Sequence, residues 1–139
     1  MIGALASGRT VLTFPTSESL AANGEIAQAY SPARLSELRA AGKPVFVNLT
    51  ADWCITCLVN ERVALSSERV SSAFRAAGIA YLKGDWTQRD PAITAILAEH
   101  GRSGVPLYLY FAPDAARAEV LPQILTPELV VKTVNGVLL

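Results

Sequence analysis

The chain has 139 residues, and its twelve basic and twelve acidic side chains cancel to a formal net charge of zero. That length suits one domain, large enough to bury a core without staples. With 51% hydrophobic residues the composition excludes a disordered chain. No Lys/Arg stripe is present, so nothing favours nucleic acid or an anionic membrane surface. No apolar run approaches the roughly 18–20 residues needed to cross a bilayer, so no direct membrane insertion of this segment is expected.

The opening "MIGALASGRTVLTF" lacks a basic n-region, and Arg9 interrupts it early, which makes a poor signal peptide. The expectation is either a cytosolic protein or a piece of a longer chain whose targeting signals lie elsewhere. Residues 1–25 read as a linker or loosely held lead-in, with "TVLTF" at 10–14 a candidate edge strand.

From residue 26 the punctuation sharpens. "EIAQAY" reads as a strand. "SPARLSELRAAG" reads as a helix, with Ser31 as cap, Pro32 in its first turn, Leu35 and Leu38 on one face and Gly42 as stop. "KPVFVNLTA" is an apolar, β-rich run of the kind buried on both faces. "CITCLVNERVAL" continues with helical character, and "SERVSSAFRAAG" follows as a second helix pairing Val70 with Phe74 and ending at Gly78. "IAYLKGDW" is the next strand, and "DPAITAILAEHG" repeats the cap logic with Asp90, Pro91 and Gly101. "PLYLYF" and "AEVLP" read as an antiparallel strand pair. "TPELVVKTVNGVLL" is a closing helix capped by Thr126. The order β-α-β-α-β-α-β-β-α implies an α/β fold, a mixed sheet with helices on both faces. The domain spans residues 26–139.

Cys54 and Cys57 are the only cysteines. The pair could be a staple, part of a metal site or a redox couple. A staple closing so short a loop would constrain the unfolded chain little. A structural zinc site usually takes four ligands, and the chain adds one distant histidine, His100. The location favours redox chemistry. A thiol where a strand meets a helix faces unpaired backbone N–H groups, which stabilise the attacking thiolate. Cys54 is then the nucleophile, and Cys57, one turn on, resolves the mixed disulfide. No G-x-G-x-x-G or P-loop occurs, and no flavin, metal or nucleotide cofactor is expected.

"VFVNLTADWCITCLVNE" resembles the active-site segment of the thioredoxin superfamily. With "GDWTQRDPAI", "HGRSGVPLYLYF" and "VLPQILTPE", the chain over residues 30–138 is most similar to the C-terminal periplasmic thioredoxin-like domain of the DsbD family. These are membrane thiol–disulfide interchange proteins, and the related copper-sensitivity suppressor proteins belong with them. The resemblance implies a thioredoxin-like fold and a periplasmic disulfide reductase, with the Cys54–Cys57 disulfide in place of any cofactor. It implies a transmembrane electron-donor domain as one partner. Periplasmic disulfide-containing proteins would be the others, in processes such as cytochrome c maturation.

It also implies a cis Val105–Pro106 bond beside the cysteines, with the Val105 backbone open to an extended substrate segment. Trp53 becomes a rim shaping substrate approach. Relatives often bury an Asp where this chain has Asn48, so the usual proton acceptor is missing. Glu61 matches an acidic position of the family and is the candidate proton acceptor, a plain surface glutamate being the alternative. Trp86, Tyr108 and Tyr110 read as packing and His100 as structural. The rival functions are a stand-alone thioredoxin, a thiol oxidase or a copper(I)-binding thiol module.

Overall fold

The computed structural model describes residues 18–20 and 26–136. Their strands are β1 (Glu18–Leu20), β2 (Ile26–Ala29), β3 (Val45–Thr50), β4 (Ala80–Asp85), β5 (Leu107–Phe111) and β6 (Glu119–Val120). Their α-helices are α1 (Pro32–Ala40), α2 (Ile55–Asn60), α3 (Glu68–Ala77), α4 (Pro91–Glu99) and α5 (Pro127–Val134). The strands form one mixed sheet in the order β1-β2-β4-β3-β5-β6. β4 runs parallel to β2 and β3, whereas β5 is antiparallel to β3.

Every residue of β3 is buried, because each face of the sheet carries helices. Phe46 packs with Phe74 of α3, Val130 of α5, and Tyr81 and Tyr108 of the neighbouring strands. Val45, Val47 and Leu49 point the other way, onto Leu38 of α1 and Ile93, Ile96 and Leu97 of α4. A central strand covered twice has no polar face, which is why its sequence reads as an apolar run rather than an alternation.

Ser31, Ser67, Asp90 and Thr126 cap α1, α3, α4 and α5 through side-chain oxygens that accept backbone N–H bonds. α3 ends where Gly78 turns left-handed at φ 68°, a conformation glycine adopts without a steric penalty. β5 and β6 form the expected antiparallel pair at the sheet edge, although only Glu119 and Val120 of "AEVLP" belong to the second strand.

Two features were not anticipated. β1 lies inside the segment read as lead-in and pairs antiparallel with β2. The stretch after α2 is a π-helical turn, Glu61–Leu65, in which Ser66 N–H donates to the carbonyl of Glu61 at 2.8 Å. The candidate strand at 10–14 lies outside the described residues.

Candidate active site

β3 delivers the chain to a tight turn at its C-terminal end, where Cys54 N–H donates to the carbonyl of Ala51 at 3.1 Å. Cys54 then caps α2, its Sγ accepting from Cys57 N–H at 3.2 Å. The two cysteines are joined as a disulfide with Cα atoms 5.2 Å apart. Cys54 is 7% exposed and Cys57 is fully buried. An incoming sulfur therefore meets Cys54 first. On reduction, the N–H that faces Cys54 Sγ favours its thiolate.

Ala51, Cys54 and Cys57 form one small cluster against which Val105 packs. The Val105–Pro106 peptide is cis, and Arg102 holds this loop by donating to the carbonyl of Pro106 at 3.1 Å. So Cys54, Cys57, Val105 and Pro106, some fifty residues apart in sequence, share one end of the sheet.

Trp53 stands beside them, 49% exposed. Its Nε1 donates to the carbonyl of Thr87 at 3.2 Å, and Asp52 N–H donates to Thr87 Oγ1 at 2.8 Å. Trp86 is buried, with its Nε1 bonded to Thr94 Oγ1 at 2.9 Å. It packs in the core as its sequence context suggested. His100 ends α4 and its Nδ1 lies 3.0 Å from the carbonyl of Ile96, away from the cysteines in the fold.

Asn48 and Glu61 meet. Asn48 Nδ2 donates to Glu61 Oε2 at 3.1 Å and to the Tyr81 hydroxyl at 3.0 Å. Glu61 also pairs with Lys83 of β4, Nζ to Oε2 3.1 Å. The Glu61 N–H still bonds the carbonyl of Cys57, so the acid sits one α-helical turn beyond Cys57 before the π-helical turn begins. A cavity of about 310 Å³ opens alongside, lined among others by Gln28, Thr50, Asp52, Glu61, Lys83 and Asp85. Water thus has access to the carboxylate while Cys57 is sealed.

Sequence reasoning missed Lys83, Thr87 and Asn60. Asn60 is buried and makes three hydrogen bonds: Nδ2 to the Tyr108 hydroxyl at 2.9 Å and to the Gln123 carbonyl at 2.7 Å, and Oδ1 from Leu125 N–H at 3.0 Å. The available signal was an asparagine on the inward side of an otherwise apolar helix.

A family model described as thioredoxin-like matches residues 26–113. The chain belongs to the thioredoxin-like family. It is 41% identical over 81 residues to "Thiol:disulfide interchange protein DsbD 1" of Pseudomonas aeruginosa, a match covering 58% of this chain and 13% of that protein. It is 34% identical over 74 residues to DsbD of Escherichia coli K12, covering 53% and 13% respectively. The chain therefore spans about one-eighth of the length of these curated relatives. Among solved structures, the oxidised C-terminal domain of Neisseria meningitidis DsbD superposes with a TM-score of 0.64 at 24% identity, over 79% of this chain and 97% of that one. Chloroplastic thioredoxin z superposes at 0.61 with 21% identity, over 79% and 92%. The thioredoxin-like fold anticipated from the sequence is thus the observed one.

Proposed function

We propose that the domain is a protein-disulfide reductase. A membrane-embedded electron-donor domain, in the same protein or a partner, recharges its dithiol, and the dithiol reduces disulfides of periplasmic proteins. The observation that carries this reading is the Cys54–Cys57 disulfide at the start of α2, in which Cys54 keeps a small exposure and Cys57 is fully buried. Similarity to proteins named for thiol–disulfide interchange supports it. The reductase domain is assigned to residues 26–139, with β1 of the preceding segment adding an edge strand to its sheet.

In the reaction, Cys54 thiolate attacks one sulfur of the substrate disulfide and expels the other as thiolate. Cys57, once deprotonated, attacks Cys54 Sγ and releases the second substrate sulfur. Two electrons pass to the substrate, and the Cys54–Cys57 disulfide remains. The substrate segment lies against Trp53 and the Val105–Pro106 backbone, which flank the cysteines. Glu61 takes the proton of Cys57, since the Asn48 amide cannot, and passes it to water in the adjoining cavity. Desolvation makes a buried thiol a reluctant acid, so an acceptor one turn away accelerates the second step.

Trapping tests the assignment. Cys57→Ser should accumulate a mixed disulfide through Cys54, and Cys54→Ser should abolish reduction. Mass spectrometry of the trapped complexes reads both, and adducts borne mainly by Cys57 would reverse the roles. Glu61→Gln should slow release of substrate from the mixed disulfide by about tenfold or more, as loss of a positioned base does. An unchanged release rate in rapid mixing would return that proton to bulk water. The reduction potential of Cys54–Cys57 decides direction: a strongly oxidising value overturns the reductase reading.

A further inference from the structure

The loop between β4 and α4, "DWTQRD", forms a second wall beside the cysteines. Trp86 N–H donates to the carbonyl of Thr50 at 2.7 Å, fixing the loop to the end of β3. A methyl group on Gly104 would stand 3.8 Å from the Trp86 ring, so the same loop also backs the segment leading to Pro106. Trp53 and Trp86 lie with ring centroids 6.0 Å apart. At the loop's end Arg89 adopts φ 57°, uncommon for a residue other than glycine, and its N–H is tied to the carbonyl of Trp86 at 2.9 Å. That turn carries the guanidinium to 4.8 Å from the Trp86 ring centroid and 5.2 Å from that of Trp53.

The guanidinium carbon thus lies over both indoles, and this contact occupies none of the group's N–H donors. A guanidinium carries five N–H donors, and among the described residues the Arg89 side chain makes no hydrogen bond or ion pair. The nearby carboxylates do not neutralise it. Asp85 accepts from Thr87 N–H and Oγ1–H. Asp90 accepts from Ala92 N–H as the cap of α4. Asp52 is exposed and forms no ion pair with Arg89. A fixed cation with unused donors thus stands on the indole that adjoins the nucleophile.

We propose that Arg89 is a specificity-determining residue, which engages a carboxylate carried by the partner's segment next to its reacting cysteine. This rests on the reading that Cys54 attacks protein disulfides. The partner chemistry follows from the donor fork, which matches a carboxylate in two parallel bonds. The rings beneath hold the fork in place, so less side-chain freedom is lost on binding.

Two peptide disulfides that differ only in Glu or Gln beside the cysteine test this, with uncharged bis(2-hydroxyethyl) disulfide as a third substrate. The reduced domain should react with the Glu peptide roughly two- to fivefold faster than with the Gln peptide at low salt, the range an exposed ion pair gives. That ratio should fall towards one in 0.5 M salt, because a surface pair is screened. Arg89→Gln should bring the ratio to one, Arg89→Glu should invert it, and Arg89→Lys should keep only part of it, because an ammonium has the charge but not the fork. A ratio unchanged in Arg89→Gln and Arg89→Glu overturns the proposal. So does an equal slowing of all three substrates, which would confine Arg89 to holding Trp53. The salt response of the unsubstituted protein decides the matter even if a variant misfolds: a salt-independent ratio overturns it. If the unsubstituted domain reduces none of the three disulfides, the parent reading falls, and this one with it.

Discussion

Tyr108 lies fully buried where β5 crosses beneath α2 and accepts its hydrogen bond from Asn60. Burial pushes its phenol up to about 12; the bond from Asn60 pulls it down and the charge of Glu61 adds to the rise. In the unfolded chain the phenol titrates near 10. Below that pH both states hold the proton and the stabilisation is complete. Between about pH 10 and pH 12 the unfolded chain ionises first, so stability falls, by on the order of 2 kcal/mol for a gap of this size. Tyr30 and Tyr110 are raised too, burial again being the main cause, so they add to the same slope. Urea unfolding of Tyr108→Phe from pH 9 upward should show a shallower loss than the unsubstituted protein. An identical slope would mean that Tyr108 does not titrate in this window. Tyr108 was legible in the sequence as a packed strand residue, from its alternation with Leu107 and Leu109. Its bond to Asn60 was not, because that bond joins residues 48 positions apart. The same holds for Glu61, whose place after Cys57 could be read from helical spacing. Its pairing with Lys83 depends on the parallel neighbour β4.

Among elements, the helices were the most legible, since capping and stop signals are local. Ser31, Asp90 and Thr126 could be assigned from single residues and their successors, and each makes its cap bond in the fold. The π-helical turn after α2 could not. Nothing local distinguishes "ERVAL" from α-helix; what it achieves is tertiary, turning Ala64 and Leu65 into the core that α3 and α5 share. β1 was also illegible, because "ESL" has no alternation long enough to show a period. Gly84 exposes a different limit. It sits inside β4, where glycine weakens a strand, and only the packed structure says why it is there. A Cβ at Gly84 would come 2.6 Å from Leu49 Cδ2, 3.1 Å from Ile93 Cδ1 and 3.3 Å from Tyr30 Cβ. The first contact is the tip of a side chain, but that tip lies in a fully buried core. Gly84→Ala should therefore destabilise by about 1–3 kcal/mol, the usual cost of overpacking. Chemical denaturation measures it, and a neutral or stabilising result would show that Leu49 and Ile93 have room to shift.

At the scale of the molecule, β3 is the hub. It is hydrogen-bonded to β4 along six residue pairs and to β5 along five. Helices cover it on both faces, and its end positions Cys54. β6, by contrast, pairs with β5 at two positions, and both of its residues are exposed. This asymmetry sets an order for local opening. An amide in β3 can exchange only when both neighbours and both helical layers are lost together, which is global unfolding. An amide in β6 needs only the edge to fray. Native-state hydrogen exchange should find Val45–Leu49 and their β4 partners at the highest protection. β6 should exchange far sooner, with a free energy of opening well below that of unfolding. The active-site turn hangs from the protected strand on one side and from the β4–α4 loop, through Thr87 and Trp86, on the other. Its amides should therefore fall between these extremes in the oxidised protein. If β3 exchanges no more slowly than β6, then the sheet opens from its centre. In that case the rigid platform on which the proposed reduction chemistry rests does not exist.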